Sequence, residues 1–230
     1  MSFRTFGTLK EQVKNELDLQ DETQISDAEF LDFCNEAIEE AESEIHKLCE
    51  DYFKSKASLT VTSGQASYQL PTYIYADKIR KIVYWDGSKA YEVKRLKSEN
   101  FATEIPALDL DTGGDLTYDI LNNPSVSGGP RIVFHPAPDF SDSTTLTIWY
   151  IRNAAQVAAD GDTVDIPEFS RFIKQYMKVL CCEREGHPLL EYHMQKAERY
   201  RQKMIESLSD RTPDGDNEIE QDLSVYEEHT

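Results

Sequence analysis

Residues 25–71 read ISDAEFLDFCNEAIEEAESEIHKLCEDYFKSKASLTVTSGQASYQLP, and the apolar period changes within them. Ser26 with Glu29 three residues on is a capping-box signature: hydroxyl and carboxylate satisfy N–H groups that no helical carbonyl can reach. From there Phe30, Phe33, Ala37, Ile38, Ala41, Ile45, Leu48, Cys49 and Tyr52 recur at helical intervals as one apolar stripe. Glu36, Glu39, Glu40, Glu42 and Glu44 lie largely off it. Carried from Ser26 to Tyr52, such a helix would reach about 40 Å. After Lys56 the period falls to two. Leu59 and Val61, then Tyr68 and Leu70, flank Ser63-Gly64 and predict a β-hairpin.

Upstream, Phe6, Leu9, Val13 and Leu17 predict a short amphipathic helix over residues 5–19, ending near the polar stretch 18–24. Downstream, strands are predicted over Ile79 to Trp85 (closed by the turn Asp86-Gly87), Ala90 to Leu96, Leu116 to Leu121, Arg131 to His135 and Thr144 to Ile151. They are short, separated by Gly, Pro, Asn and Asp, and without crossover helices, which favours an antiparallel sheet or small sandwich over β-α-β units. Helical spacing returns at Ile166-Pro167-Glu168, where proline suits a first turn, and Phe169, Phe172, Ile173, Tyr176, Val179 and Leu180 line one face up to Glu185. Gly186-His187-Pro188 interrupts it, because proline lacks the N–H that a helix needs. Leu190, Met194, Ala197, Tyr200, Met204 and Leu208 then form a further stripe, so two helices or one kinked helix would fit. The fold class expected is α+β: long amphipathic helices packed with a small antiparallel β-sheet or sandwich inserted between N-terminal and C-terminal helices. The corresponding boundaries are a helical part at 1–56, a β insertion at 57–163, a helical part at 164–209 and an acidic flexible tail at 210–230, which is one structural domain plus the tail.

The 230 residues carry 43 acidic against 24 basic side chains, a formal net charge of -19, while 39% are hydrophobic, enough to bury a core. Nucleic-acid affinity comes mainly from cations that neutralise phosphates, so sequence-specific DNA or RNA binding is not expected. Cys34, Cys49, Cys181 and Cys182 form no CxxC pair, and read as small apolar residues in a reducing compartment. The start MSFRTFGTLKEQVKNEL has no apolar leader and no run approaches a membrane span, so the protein is expected to be made and kept in the cytosol. Residues 210–230 hold Asp210, Asp214, Asp216, Glu218, Glu220, Asp222, Glu227 and Glu228 against Arg211, a composition poor in buriable area. Within it Ile219, Leu223, Val225 and Tyr226 are spaced as apolar anchors for another subunit.

Catalytic signatures are missing from the sequence. Neither GxxxxGK[ST] nor a strand-to-helix GxGxxG is present, and Gly113-Gly114 and Gly128-Gly129 read as turns. Asp109, Asp111, Asp115 and Asp119 alternate like part of a calcium loop, but Gly113 and Ile120 stand where ligands belong, so a polar surface loop is expected. His46, His135, His187, His193 and His229 repeat no metal-ligand spacing; His135 is expected to close a strand and the others to be surface or helix-cap residues. No GxSxG elbow occurs. No catalytic, cofactor-binding or metal residue is therefore assigned, and the protein is not expected to be an enzyme.

Several elements in order carry a resemblance: Ile25-Ser26-Asp27-Ala28-Glu29-Phe30 with Asn35-Glu36-Ala37; Gly64-Gln65 leading to Tyr68-Gln69-Leu70-Pro71; Tyr84-Trp85-Asp86-Gly87; the run from Arg131 to Asp139; Leu146 to Tyr150; and Val164 to Phe169 opening a helix. Over residues 5–208 the chain resembles the head-to-tail adaptor (connector) proteins of tailed phages. It departs at Thr72-Tyr73-Ile74-Tyr75, where such proteins often continue with an acidic residue and Phe. The resemblance implies a structural virion protein: a ring, commonly of twelve subunits, that bridges the portal and a downstream tail or nozzle protein, encloses part of the DNA channel, and meets the portal through its C-terminal part. Other virion ring or tail-completion proteins, and a cellular acidic-tail scaffolding module, are the alternatives.

Overall fold

The computed structural model describes residues 4–19, 25–85, 90–96, 116–121, 130–138 and 144–210. The chain divides into two compact units, one drawn from Met1–Cys49 and Ala155–Thr230, the other from Glu50–Ala154. Among the described residues there are four α-helices and seven strands, an α+β protein.

In the helical unit, α1 (Phe6–Leu17) is capped by the Thr5 hydroxyl, and ends where Asp18 turns into the left-handed region and returns its N–H to Lys14. Its buried face is Phe6, Leu9, Val13 and Leu17, as the spacing predicts. Helix α2 (Asp27–Leu48) starts at the predicted capping box: Ser26 Oγ accepts from the Glu29 N–H, and Glu29 accepts from the Ser26 N–H at 2.8 Å. It is shorter than expected. Cys49 leaves helical geometry, a 3-10 turn at Glu50–Phe53 follows, and the 22 residues span about 33 Å rather than 40 Å. Leu48, assigned to the stripe, is exposed, whereas Cys34 and Glu44 are buried. Glu44 tolerates burial because Arg201 and Lys47 both donate to it at 2.9 Å.

Pro167–Phe169 forms a 3-10 turn that leads into α3 (Ser170–Glu185); Gly186, at φ 61, closes it, and α4 (Leu190–Ser209) follows as a separate helix. The positive φ suits glycine, and Pro188 prevents the two segments from merging. Helix α3 packs against α1, α2 and α4. Its junction with α1 is ionic: Lys174 donates to Glu16 at 2.7 Å, and Lys178, only 2% exposed, also bonds Glu16. Burial would raise the Glu16 carboxyl, but the hydrogen bonds from the two lysines outweigh it and hold the group down at about 2. Asn35 of α2 exchanges two hydrogen bonds with the Val157 backbone, at 3.0 and 2.9 Å, fixing the approach to α3.

The other unit is a seven-stranded mixed sheet in the order β1-β7-β3-β4-β5-β6-β2, formed by Lys54–Val61, Ser67–Gln69, Ile74–Trp85, Ala90–Arg95, Thr117–Leu121, Arg131–His135 and Thr144–Arg152 for β1 to β7. Two expectations are corrected here. Leu59-Val61 and Tyr68-Leu70 do not form a hairpin: β1 pairs with β7 over eight residues, β2 pairs with β6, and the two strands end at opposite edges. An extended partner for β1 offers more ladder bonds than the three-residue β2 could. The sheet curls so that Tyr68 Oη nevertheless meets both the Thr62 N–H, at 2.8 Å, and the Thr62 carbonyl, at 3.1 Å. Nor is the sheet wholly antiparallel, since β5 runs parallel to β4 through Lys94↔Thr117 and Arg95↔Tyr118. The stretch from Leu96 to Leu116 is long enough for the return that a parallel pair requires. Strand β3 also begins at Ile74, five residues earlier than predicted; register irregularities around Ile79, with Ala76 and Asp77 at positive φ, hide the alternation there. Inside the curl lie Val61, Tyr68, Leu70, Ile74, Ile82, Val93, Tyr118, Ile132, Phe134, Leu146, Ile148 and Tyr150.

Candidate assembly interface

Several thiols and imidazoles among the described residues are taken up by the packing. Cys34 and Cys181 are buried, and burial pushes both thiols up to about 12, away from the thiolate that nucleophilic chemistry needs. His135 ends β6 as predicted. His46 and His193, expected to be surface or helix-cap residues, are both buried, His46 in the last turn of α2 and His193 within α4. His46 Nε2 lies 3.2 Å from Glu42. Gln175 Nε2 bonds His193 Nδ1 at 2.7 Å and its carbonyl at 3.2 Å. That pairing explains a register difference in α4: His193 takes an inward position, while Met194, assigned to the stripe, is 53% exposed. Burial, and then the charges of Lys178 and Lys196, lower the His193 pKa and so favour the neutral imidazole, which bonds Gln175 at the α3–α4 junction. Among the described residues no group of three or more His, Cys, Asp or Glu side chains could hold a metal ion, and no helix is long and apolar enough to cross a membrane. Asp119 of the calcium-like run lies buried in β5; Asp109, Asp111, Gly113, Gly114 and Asp115 fall outside the described residues, as do Gly128, Gly129 and His229.

The tail anchors Ile219, Leu223, Val225 and Tyr226 also lie outside the described residues. What the described residues present instead are helix flanks and a sheet face. On α4, Tyr192, Lys196, Arg199, Tyr200 and Lys203 share one flank by helical spacing. The ammonium of Lys196 stands 5.7 Å from the Tyr192 ring centre, and that of Lys203 stands 5.9 Å from Tyr200. Tyr192 is 55% exposed. Lys196, Arg199 and Lys203 meet no carboxylate within ion-pair distance among the described residues, in contrast to Arg201 on the inner side, which bonds Glu44. On α2, Asp32, Glu36 and Glu39 are exposed and Glu40 half-buried, and none meets a cation within ion-pair distance among the described residues. On the sheet, Lys56, Trp149 and Lys81 stand side by side across β1, β7 and β3, with the Lys56 ammonium 5.8 Å from the Trp149 ring centre.

The acidic α2 flank was legible as glutamates off the apolar stripe. The apolar spacing does not reveal the α4 flank, since it places Tyr200 on the buried stripe and leaves Lys196, Arg199 and Lys203 unremarked. Their three- and four-residue spacing was the available signal.

Charged side chains without counterions among the described residues thus lie on outward faces of α2 and α4, with Tyr192 and Tyr200 beneath two of the cations, whereas Cys34, Cys181, Cys182, His46 and His193 are buried. No curated protein matches the chain. The family model described as SU10 adaptor protein matches residues 4–220, nearly the whole sequence. The chain therefore belongs to the SU10 adaptor protein family, that of the phage head-to-tail adaptors.

Proposed function

We propose that the protein is a structural, non-catalytic ring subunit of the virion, seated beneath the portal vertex, where it joins the capsid to a downstream tail or nozzle protein and encloses part of the channel through which DNA passes. The observation that carries this reading is the family match over residues 4–220. Two physical features support it. Amphipathic helices that bury one face and leave charged flanks outward provide unlike patches suited to a heterologous, ring-closing contact. A net charge of -19 disfavours adhesion to DNA, which a conduit must release. In this reading the ring has the twelve subunits common to such adaptors, forms on the portal, and needs no cofactor and no membrane.

Residues 210–230 are the proposed portal contact, with Ile219, Leu223, Val225 and Tyr226 as apolar anchors among carboxylates. A segment that orders on binding gives weak affinity per copy, which a ring multiplies through effective concentration. The test is co-sedimentation of the full chain, and of a chain ending at Ser209, with portal rings. Portal binding by the full chain and its loss on truncation, with unchanged circular dichroism, is the expected result. Normal attachment of the truncated chain would remove the tail from the contact, and no attachment by either would remove the portal reading.

A further inference from the structure

The α4 flank of Lys196, Arg199 and Lys203 and the α2 flank of Asp32, Glu36 and Glu39 are built to the same spacing. From Lys196 the cations advance by three and then four residues; from Glu39 back to Asp32 the carboxylates retreat by three and then four. Each ladder spans seven residue steps, about 10 Å along its helix. Antiparallel alignment therefore sets Lys196 against Glu39, Arg199 against Glu36 and Lys203 against Asp32. Within one chain these groups do not pair: α4 meets α2 through Arg201 and Glu44, on a different side of the helix. Resting on the ring reading above, we propose that the basic, tyrosine-bearing flank of α4 docks on the carboxylate flank of α2 in a second copy of this chain, and that this helix-to-helix contact joins neighbouring subunits.

Three observations favour a second copy over another occupant. The matching ladder of opposite charge is on the same polypeptide, so the two patches form a heterologous pair, the kind of contact that propagates around a ring. Neither flank has counterions among the described residues, so association supplies the charge partners; the one bond already made there is neutral, from Gln156 Nε2 to Glu39 at 2.6 Å, and leaves the second Glu39 oxygen open to Lys196. A DNA phosphate backbone would have to approach a chain of net charge -19 to reach three cations, a poor exchange of long-range repulsion for local attraction. Tyr192 and Tyr200, already under Lys196 and Lys203, add aromatic area of the kind enriched in interface cores.

The experiment measures the mass of assemblies formed by the full chain, alone and with portal rings, for four forms. These are the natural protein, Lys196→Glu/Arg199→Glu/Lys203→Glu, Asp32→Lys/Glu36→Lys/Glu39→Lys, and the combination of all six. Each triple reversal is expected to weaken neighbour association by at least about tenfold, since like charges then face each other, and the combination is expected to recover it. The α2 reversal is informative because it makes the chain less acidic. General repulsion would then favour assembly, so a loss reports the local pairing. Circular dichroism separates loss of assembly from loss of fold, and the corresponding Gln triples, which remove charge without repulsion, should show a smaller defect of the same sign. If the natural protein forms rings and both reversals do too, this contact is wrong while the ring reading stands. If the natural protein stays monomeric with and without portal, both fall. If the α4 reversal only lowers retention on duplex DNA and leaves assembly intact, the flank serves phosphates and the proposal is overturned.

Discussion

Replacing Glu16 with Gln tests whether the ionic junction between α1 and α3 contributes to stability or is ornamental. Glu16 takes hydrogen bonds from Lys174 and Lys178, and its carboxyl is held at about 2 against an ordinary 4.5. A depression of that size corresponds to at most about 3.4 kcal/mol of preferential stabilisation of the charged form. The Glu16 side chain is 42% exposed, however, so water screens the interaction and about 1.5–2 kcal/mol is the realistic share. Removing the carboxylate also leaves the buried Lys178 ammonium without its principal counterion, which works in the same direction. Because the folded-state pKa lies below the unfolded one, the contribution is complete above about 4.5 and disappears as pH falls toward about 2. Denaturant unfolding followed by far-UV circular dichroism at neutral pH and near pH 3 brackets the isoelectric point of about 4.6, where aggregation would interfere. Glu16→Gln should lose about 1.5–2 kcal/mol at neutral pH and much less near pH 3. A loss below about 0.5 kcal/mol at neutral pH, or one that does not depend on pH, would refute the reasoning.

Other substitutions probe separate links. Ser26→Ala removes the hydroxyl half of the α2 capping box and should cost about 1 kcal/mol, read as a lower urea midpoint with unchanged slope. Tyr68→Phe strips the hydroxyl that satisfies both backbone groups of Thr62; a loss of about 1–3 kcal/mol is expected in the sheet unit, followed by Trp fluorescence. Gly186→Ala places a Cβ in open space but at φ 61, so only backbone strain should register, about 1 kcal/mol in thermal unfolding. A thiol reagent added to the native protein should label Cys49 first and reach Cys34, Cys181 and Cys182 only on unfolding, a difference that intact-mass measurement resolves.

Local determinants were readable because a few neighbouring residues decide them. The capping box at Ser26 and Glu29, the α1 stripe from Phe6 to Leu17 and the break at Gly186-His187-Pro188 all depend on groups within one helical turn, and each stands where the spacing puts it. The class of the molecule, α+β, followed from the same period counting, and the order of short elements around Tyr68-Gln69-Leu70-Pro71 and Val164 to Phe169 pointed to the adaptor family before any fold was known. Long-range partners were not readable. Period two identifies Leu59-Val61 and Tyr68-Leu70 as strands but carries no information on whether β1 pairs with β2 or with β7, more than eighty residues away in the chain. A glutamate at position 44 looks like a surface residue until Arg201 is brought to it, and His193 looks exposed until Gln175 offers a donor. The α4 cations look like ordinary solvated charges until the fold turns Arg201 inward and leaves Lys196, Arg199 and Lys203 without counterions among the described residues. Spacing along the chain sets which side chains share a face; which face is buried, and what lies opposite it, is decided only when distant segments compete for the same apolar and charged groups.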